Sequence, residues 1–497
     1  MIRKLSAKIF SFPVMLAGVL ASWVFVGASK ALWDPDVWFH MRNAAYLLSH
    51  GRPVQADLYS YTALGLPLVD HQWLSEVPYY YAWRAAGLVG IFILFFLLLA
   101  AIHFGMYYRA WRESGNLKAS FLVCGLSTFL SSVSFAPRTL LSGYLCLLVL
   151  LLVLDRFRAA GKTPLWVIPP LFCLWINCHG SWPLGMVVLG IYLASGLVEG
   201  NWERVEAVRW TPRQIRQLLA TAAASAAALF INPYGYRLVL YPYEMATRQK
   251  LNIAYTDEWA SVNFHEPRGK VVLVLLAVLL LGILLTRRKW KSHEVLLAGF
   301  AIYSGLTHIR FLFLAAILLT PLLAKMLDVL PPYRPEIDKP WLNAAVMGAL
   351  LILLVHFAPS EEGLNRQLAK RFPAQALGFV KAQGLQGNFY NAYRWGGYMI
   401  YMDPKLRTFI DSRADLFEYS GVFKDYLDAE AFRGSLQILD KYHVRYALIP
   451  ASDPLGYLLK NTGGWKPLYS DDVAVIFEKT GVPSPPAAEA APAGSSQ

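Results

Sequence analysis

Residues 32–40 read Leu-Trp-Asp-Pro-Asp-Val-Trp-Phe-His and follow directly on an apolar run at residues 10–30. About 20 apolar residues in a helix cross the ~30 Å hydrocarbon core of a bilayer, so this run predicts a first transmembrane helix. Further runs of this kind lie near residues 88–107, 119–135, 140–155, 164–178, 183–199, 216–232, 270–286, 293–306, 311–328 and 341–357. The sequence therefore predicts an α-helical polytopic membrane protein with about eleven transmembrane helices.

The composition of the chain is that of a membrane protein. Of the 497 residues, 56% are hydrophobic and 16% are charged, whereas about 25% are charged in an ordinary soluble domain. The formal net charge of +13 fits basic loops at a membrane, and since no nucleic-acid-binding motif is present we expect no nucleic-acid partner. No glycine-rich nucleotide-binding fingerprint precedes a helix. The cysteines lie in apolar runs and lack the spacing of a disulfide framework or a zinc site: Cys124, Cys146, Cys173 and Cys178.

The distribution of basic residues between the apolar runs predicts the orientation of the chain. If the N-terminus is inside, the inside segments carry 20 Lys and Arg residues, whereas the outside loops before residue 358 carry about ten. An odd number of spans then leaves the C-terminal part outside the cell. A cleavable signal peptide is the alternative for the first run, but the apolar stretch from Ile9 to Val26 exceeds the 7–15 residues typical of a signal peptide, so we expect a retained helix.

After residue 357 the sequence changes from long apolar runs to short strand-like and amphipathic segments. Residues 1–357 are predicted to form a transmembrane domain with a long first outer loop at residues 31–87. Residues 358–481 are predicted to form an extracytoplasmic α/β domain, and the Pro/Ala/Ser-rich residues 482–497 a disordered tail. In the α/β domain the strand candidates are 388–393, 398–402, 408–411, 446–449 and 473–477, and the helix candidates are 365–383 and 423–441. Gly396 and Gly397 are predicted to form a turn between two strands.

The acidic residues that follow the first run allow two interpretations. Asp34, Pro35 and Asp36 are typical of a helix start, with Asp34 as the capping residue. On that helix Asp36 and His40 are four residues apart and share one face, with Asp34 beside them. Such a cluster can bind a divalent cation or remove a proton from a hydroxyl group. On the residues alone, both the capping role and the functional role remain open.

An Asp-x-Asp pair just after the first span, followed by an amphipathic helix in a long outer loop, resembles the GT-C superfamily of integral-membrane glycosyltransferases. Asp34 and Asp36 match that pair. The chain also resembles a bacterial branch of the superfamily in residues 59–62, 65–67, 71–76, 232–235, 258–259, 393–398 and 409–415. The resemblance implies a multi-pass enzyme of the bacterial cytoplasmic membrane that takes a sugar from a polyprenyl-phosphate carrier.

Polar residues at several span ends fall on the same predicted outer face as Asp34. They are Arg138, His179, Asp257, Glu258, His308 and Arg310. Arginine suits a lipid-linked phosphate because its guanidinium group binds two phosphate oxygens at once. The alternatives are helix-anchoring arginines, a structural histidine beside the Gly180 turn and a solvated acidic loop. For His71 and Glu76, a capping or surface role is at least as plausible as a functional one.

The resemblance also implies a mechanism. Asp34 acts as general base on the hydroxyl group of a saccharide, lipid or protein acceptor, which displaces the carrier phosphate in one inverting step. Asp36 orients the site or helps to bind a divalent cation; some relatives depend on a metal ion and others do not. The alternatives are a transporter or flippase of lipid-linked saccharides and a non-catalytic membrane protein of envelope assembly.

Overall fold

The computed structural model describes residues 8–160, 163–285, 289–327 and 329–481. The chain divides into two compact units. The first, here the membrane unit, comprises Met1–Val54 and Val69–Leu364, and the second, here the α/β unit, comprises Gln55–Leu68 and Asn365–Gln497. The predicted tail at residues 482–497 lies outside the described residues, as do five of the basic residues counted for the orientation: Arg3, Lys4, Lys162, Arg287 and Arg288.

The membrane unit is built from helices. They are α1 Phe12–Ser29, α2 Asp36–His50, α3 Trp73–Ser114, α4 Leu117–Ser131, α5 Leu140–Ala160, α6 Ile168–Cys178, α7 Trp182–Ala194, α8 Pro212–Ala228, α9 Tyr236–Arg248, α10 Lys250–Tyr255, α11 Pro267–Leu285, α12 Ser292–Thr307, α13 Leu312–Met326, α14 Pro340–His356 and α15 Glu361–Ala369, which continues into the α/β unit. A small sheet joins β1 Gly200–Asn201, β2 Val205–Ala207 and β3 Trp290–Lys291.

The number of transmembrane helices differs from the prediction. Each predicted apolar run lies on a helix, but within the described residues only six helices are long and apolar enough to cross a membrane. The number rises to seven if α14 and α15, bent by 52° to one another, form one span. The 11 residues of α6 are about 16 Å long at 1.5 Å per residue, well short of a bilayer core. The chain is thus a membrane protein, but the eleven spans are not confirmed.

Helix α2 confirms the helix start predicted after Asp34, and it packs against α3. Helix α3 is interrupted at Ala86 and Gly87, whose backbone angles are not helical. The Glu361 carboxylate accepts hydrogen bonds from the amides of Leu88 at 3.1 Å and Val89 at 3.0 Å. These amides are the unpaired donors that begin the second half of α3. The first half of α3 therefore belongs to the loop region, and the apolar half begins at residue 88, where the sequence pattern changes.

The α/β unit contains one four-stranded sheet in the order β4-β5-β7-β6. Strand β4 pairs with β5 in parallel, and the other pairs are antiparallel. The strands are β4 Phe389–Asn391, β5 Tyr446–Pro450, β6 Trp465–Ser470 and β7 Ala474–Lys479. The helices are α16 Ala374–Ala382, α17 Gly396–Met402, α18 Ala414–Tyr419, α19 Val422–Glu430, α20 Ser435–Lys441 and α21 Pro454–Asn461. The predicted α/β character of this region is confirmed.

Several elements of the α/β unit differ from the prediction. The predicted strand 398–402 is helix α17, which Gly396 begins where a strand turn was expected. A Cβ atom on Gly396 would lie 2.2 Å from the Ile410 carbonyl oxygen, so this glycine serves a close backbone contact. Residues 408–411 form only isolated bridges, and strand β6 was not predicted. The two predicted long helices are each broken, at Pro373 and at Gly434, whose φ is +78°.

Residues 55–68 of the predicted first outer loop belong to the α/β unit. The backbones of Ser60 and Thr408 form a parallel bridge. Arg413 donates to Asp57 at 2.7 Å and to Asp411 at 2.6 Å, and both carboxylates are fully buried. Buried charges without partners are costly, so this cluster holds the loop segment and the C-terminal part of the chain together.

We expect Arg413→Met to destabilise the α/β unit by about 3–5 kcal/mol, because it leaves two buried carboxylates without their cation. The matched control is Arg433→Met, because the Arg433 side chain is 69% exposed and its ion-pair partner among the described residues is Asp428. It should cost less than about 1 kcal/mol. Limited proteolysis of the full chain in detergent during a temperature series measures both effects. Equal protease resistance of the two variants would contradict the stabilising role of the cluster.

Candidate functional site

The carboxylate of Asp34 performs two tasks in the membrane unit. The side chain is 3% exposed. Its Oδ1 atom accepts a hydrogen bond from the Asp36 amide at 2.8 Å and so pairs the first helical amide of α2, although the N-cap residue is Pro35 and not Asp34 as predicted. Its Oδ2 atom accepts a hydrogen bond from Nε of Arg138. The hydrogen bond at the helix start and the ion pair with Arg138 therefore occur together in one carboxylate.

Arg138 joins three separate segments of the membrane unit. It lies between α4 and α5, and besides Asp34 it donates to Glu258, which belongs to the short 3-10 helix Asp257–Trp259. The Tyr79 hydroxyl, on α3, donates to the Arg138 carbonyl oxygen at 3.1 Å. Burial alone would lower the pKa of Arg138, but the nearby carboxylates, with Asp34 first, raise it well above the ordinary value. The Arg138 cation is thus neutralised within the protein.

Arg310 is a second cation near this cluster, but its surroundings differ. It lies in the 3-10 helix Ile309–Phe311, where its guanidinium group stacks 4.2 Å above the Trp259 ring. Its carbonyl oxygen accepts a hydrogen bond from the Tyr144 hydroxyl at 3.1 Å. Among the described residues, no carboxylate lies within 4.0 Å of this guanidinium group. Within the described part of the chain, Arg310 thus has no carboxylate at ion-pair distance, although Glu258 acts on it from farther away.

His308 and Asp257, which the sequence suggested as binding residues, have peripheral positions. Nδ1 of His308 lies 2.7 Å from the carbonyl oxygen of Trp259, to which it donates a hydrogen bond. His308 thus holds the backbone of Trp259, whose ring stacks with Arg310. Asp257 is exposed and does not join the contact between Glu258 and Arg138. The acidic pair at 257–258 therefore contributes one carboxylate to the cluster.

A buried polar network joins α2 to the residues that precede and begin α3. Nδ1 of His40 donates to Oε1 of Glu76 at 2.7 Å. Asn43 donates to Glu76 at 3.3 Å and to Asp70 at 3.1 Å. His40 is 2% exposed and Glu76 is 1% exposed. The surface role considered for Glu76 is therefore wrong: the side chain lies between α2 and α3.

Two further histidines, His71 and His179, lie next to one another. Their ring centroids are 5.8 Å apart, and His71 stacks on Tyr241 at 4.4 Å. Nδ1 of His179 accepts the amide hydrogen of Ser181 at 3.0 Å. Burial, followed by the positive charge of Arg310, lowers the pKa of His71 to about 4. The pKa of His179 is lowered well below the ordinary value, first by burial and then by His71. Both rings are neutral at pH 7.

The low pKa of His71 predicts a loss of stability in acid. Between about pH 6.5, where an unfolded histidine titrates, and about pH 4 the unfolded state binds more protons than the folded state. Stability should therefore fall as the pH falls through this window, by up to about 3 kcal/mol for this group. His71→Phe keeps the stacking on Tyr241 without a titrating group and should flatten the decline. Thermal unfolding in detergent at pH 4–8 measures both, and parallel curves would contradict the prediction.

The acidic residues do not assemble into a metal site. Within the part of the chain that the structure describes, no group of three or more His, Cys, Asp or Glu side chains is placed to hold a metal ion. Both oxygens of Asp34 are already hydrogen-bonded, one of them to the cation of Arg138. The residues present thus do not fit the divalent cation considered from the sequence.

Sequence reasoning missed residues that complete the site. Asn43 and Asp70 were not considered, and Tyr144 and Trp259 appeared only as residues of a span and of a loop. An available signal was the spacing of His40 and Asn43, three residues apart and so on one face of α2. The contacts that join α2 to Glu76 cross more than 30 residues of chain, which no local pattern reveals.

Comparison with known proteins shows the fold of the chain. No protein-family model and no curated protein matches the sequence. The oligosaccharyltransferase of Archaeoglobus fulgidus in the apo form has a TM-score of 0.50 at 12% identity, with 88% of this chain and 69% of that chain covered. The same enzyme tethered through a disulfide bond to an acceptor peptide containing the NVT sequon has a TM-score of 0.52 at 13% identity, with coverages of 95% and 75%. The chain thus has a fold like that of this oligosaccharyltransferase.

Proposed function

We propose that the chain is a membrane glycosyltransferase that moves a sugar from a polyprenyl-phosphate-linked donor to an acceptor, with inversion at the anomeric carbon. The observation that carries this proposal is the pairing of a neutralised cluster, Asp34–Arg138–Glu258, with the cation of Arg310, which has no carboxylate at ion-pair distance among the described residues. The acids provide catalytic groups, and the cation provides a place for a phosphate. The oligosaccharyltransferase-like fold supports the same class of reaction, although a fold by itself does not determine function.

The phosphate of the donor would bind Arg310. A sugar joined to a polyprenyl chain through one phosphate is a phosphodiester with a single negative charge, which a single arginine neutralises. Arg138 already serves two carboxylates, so the charge balance favours a donor with one phosphate over a donor with two.

An apolar groove is the place we propose for the prenyl chain of the donor. It lies between α11, α12 and α13, where its lining includes Leu275, Ile302, Gly305, Leu306 and Leu312. Leu306 and Leu312 flank the segment that carries Arg310. A chain in this groove would therefore place its phosphate at the Arg310 end.

Asp34 and Asp36 are the catalytic acids of the proposal. The resemblance to GT-C enzymes gives Asp34 the role of base on the acceptor hydroxyl, and the half-buried Asp36 would orient the acceptor. The hydroxyl oxygen attacks the anomeric carbon, and the bond to the carrier phosphate breaks. The acceptor is a saccharide, a lipid or a protein. The site and the α/β unit would face the outside of the bacterial cytoplasmic membrane, with the N-terminus inside.

Transport of a lipid-linked saccharide is the main alternative. Coupled transporters place ionisable groups at mid-membrane, where these groups can bind a substrate or a coupling ion. His103 in α3 has both ring nitrogens bonded, to the Leu99 carbonyl oxygen at 2.7 Å and to Ser131 at 3.1 Å. Arg109, at the end of α3, donates to Asp155 at 2.8 Å. These groups hold helices together, which favours the transferase.

Mass spectrometry of envelope glycans and lipid-linked intermediates tests the function. A deletion strain is compared with the same strain restored with the wild-type gene. The transferase predicts that one glycan lacks a sugar while its lipid-linked donor accumulates on the outer leaflet, and the missing mass identifies the sugar. Accumulation of the intermediate on the inner leaflet would indicate a flippase. Unchanged glycans and intermediates would contradict both functions.

A further inference from the structure

The pairing of His40 with Glu76 fixes the tautomer of a buried histidine. Oε1 of Glu76 accepts hydrogen bonds from Nδ1 of His40 and from Asn43, so Nδ1 carries the proton. In a neutral imidazole the other nitrogen, Nε2, then presents a lone pair. Within the described residues Nε2 has no hydrogen-bond partner. A carboxylate that orients a histidine in this way leaves Nε2 as a proton acceptor.

His40 is uncharged at neutral pH, as a proton acceptor must be. Burial lowers its pKa well below the ordinary value, and the electrostatic interactions with His71 and with the cation of Arg138 act in the same direction. Asp36 and His40 lie one turn apart on the same face of α2, so His40 is a neighbour of the catalytic acids along the helix.

More of the hydrogen-bonding atoms of Asp34 than of His40 have partners within the described residues. The Oδ1 atom of Asp34 accepts a hydrogen bond from the Asp36 amide and its Oδ2 atom accepts one from Arg138, so both of its oxygens have structural partners. Removal of a proton by Asp34 would weaken its bond with Arg138. His40 can take a proton without losing any bond, because its imidazolium form keeps Nδ1–H on Glu76.

We propose that His40, positioned by Glu76, removes the proton from the attacking hydroxyl group of the acceptor. The inference rests on the proposed function and transfers to His40 the base role that the resemblance gives to Asp34, which then acts by holding Arg138. The acceptor oxygen bonds to the anomeric carbon as the carbon–oxygen bond to the carrier phosphate breaks, and the electron pair goes to the phosphate. The proton moves to Nε2 and is later released to water.

The test uses the purified full chain in detergent with a radiolabelled polyprenyl-phosphate hexose as donor and the envelope glycans of the deletion strain as acceptor. His40→Gln should lower kcat by about 10²-fold or more without a change in the KM of the donor, since general bases contribute this much. His40→Ala should lose activity likewise and regain it with added imidazole, and Glu76→Gln should lower kcat in the same direction. The matched control is His50→Gln, at the exposed end of the same helix.

The outcomes separate this proposal from the proposed function. A wild-type chain that transfers sugar while His40→Gln retains full kcat would overturn the role of His40 and leave the transferase intact. Loss of activity in His40→Ala that imidazole does not restore, together with a lowered melting temperature, would assign His40 to packing alone and overturn the proposal. No transfer by the wild type with any polyprenyl-phosphate hexose would overturn the proposed function, and the base role of His40 with it.

Discussion

Asp34→Asn should abolish sugar transfer, with a fall in rate of about 10³-fold or more, while the protein remains folded. Asparagine caps a helix as well as aspartate does, so the hydrogen bond from the Asp36 amide and the start of α2 should survive. The neutral side chain cannot neutralise Arg138, which would keep its hydrogen bond to Glu258 and the weaker influence of Asp36. The loss is expected both from a base role of Asp34 and from its hold on Arg138.

The measurement is the transfer rate of purified protein, supported by glycan analysis of the deletion strain at matched membrane abundance. A control for the loss of one acidic charge is Glu244→Gln, on the surface of α9, where Glu244 is about half exposed and pairs only with Arg248. The control should transfer at the wild-type rate. Full transfer activity of Asp34→Asn would exclude Asp34 from the reaction and leave it only its hydrogen bond at the start of α2.

The sequence predicts well those features that depend on the residues of one short segment. The helix after Asp34 is signalled by its own first residues, and the change of α3 from loop region to apolar helix follows the hydrophobicity at residue 88. The number of spans is not such a feature. An apolar run shows that a segment is buried, in lipid or in protein, and α6 and α7 are too short to distinguish the two by length.

The candidate site depends on contacts that local patterns do not contain. The segments that carry Asp34, Arg138 and Glu258 are each separated by more than 100 residues, and only the predicted topology suggested a common face. The role of Glu76 was missed because its position near the start of a helix is also typical of a surface acid. The assignment of 55–68 to the α/β unit depends on Arg413, more than 300 residues away.

Arg310→Gln should raise the KM of the lipid-linked donor by about 30-fold or more, because a charge-assisted contact with phosphate is worth about 2–3 kcal/mol. The substitution removes a cation that has no close carboxylate partner among the described residues, so it leaves no unpaired acid in the protein. Folding should therefore be little affected. Arg310→Lys keeps the charge but loses the bidentate contact with phosphate and much of the stacking on Trp259. We therefore expect an intermediate KM.

Donor titrations with the same labelled polyprenyl-phosphate hexose measure these changes, with Arg248→Gln as the control for loss of an exposed cation that is 67% accessible. Substitution of the other arginine, Arg138, provides a second test. Arg138→Gln leaves Asp34 and Glu258 without their shared cation and should lower stability and kcat together. A normal donor KM in Arg310→Gln, combined with a raised KM in Arg138→Gln, would move the phosphate to Arg138. The charge balance that favours a donor with one phosphate would then be lost, because Arg138 already serves two acids.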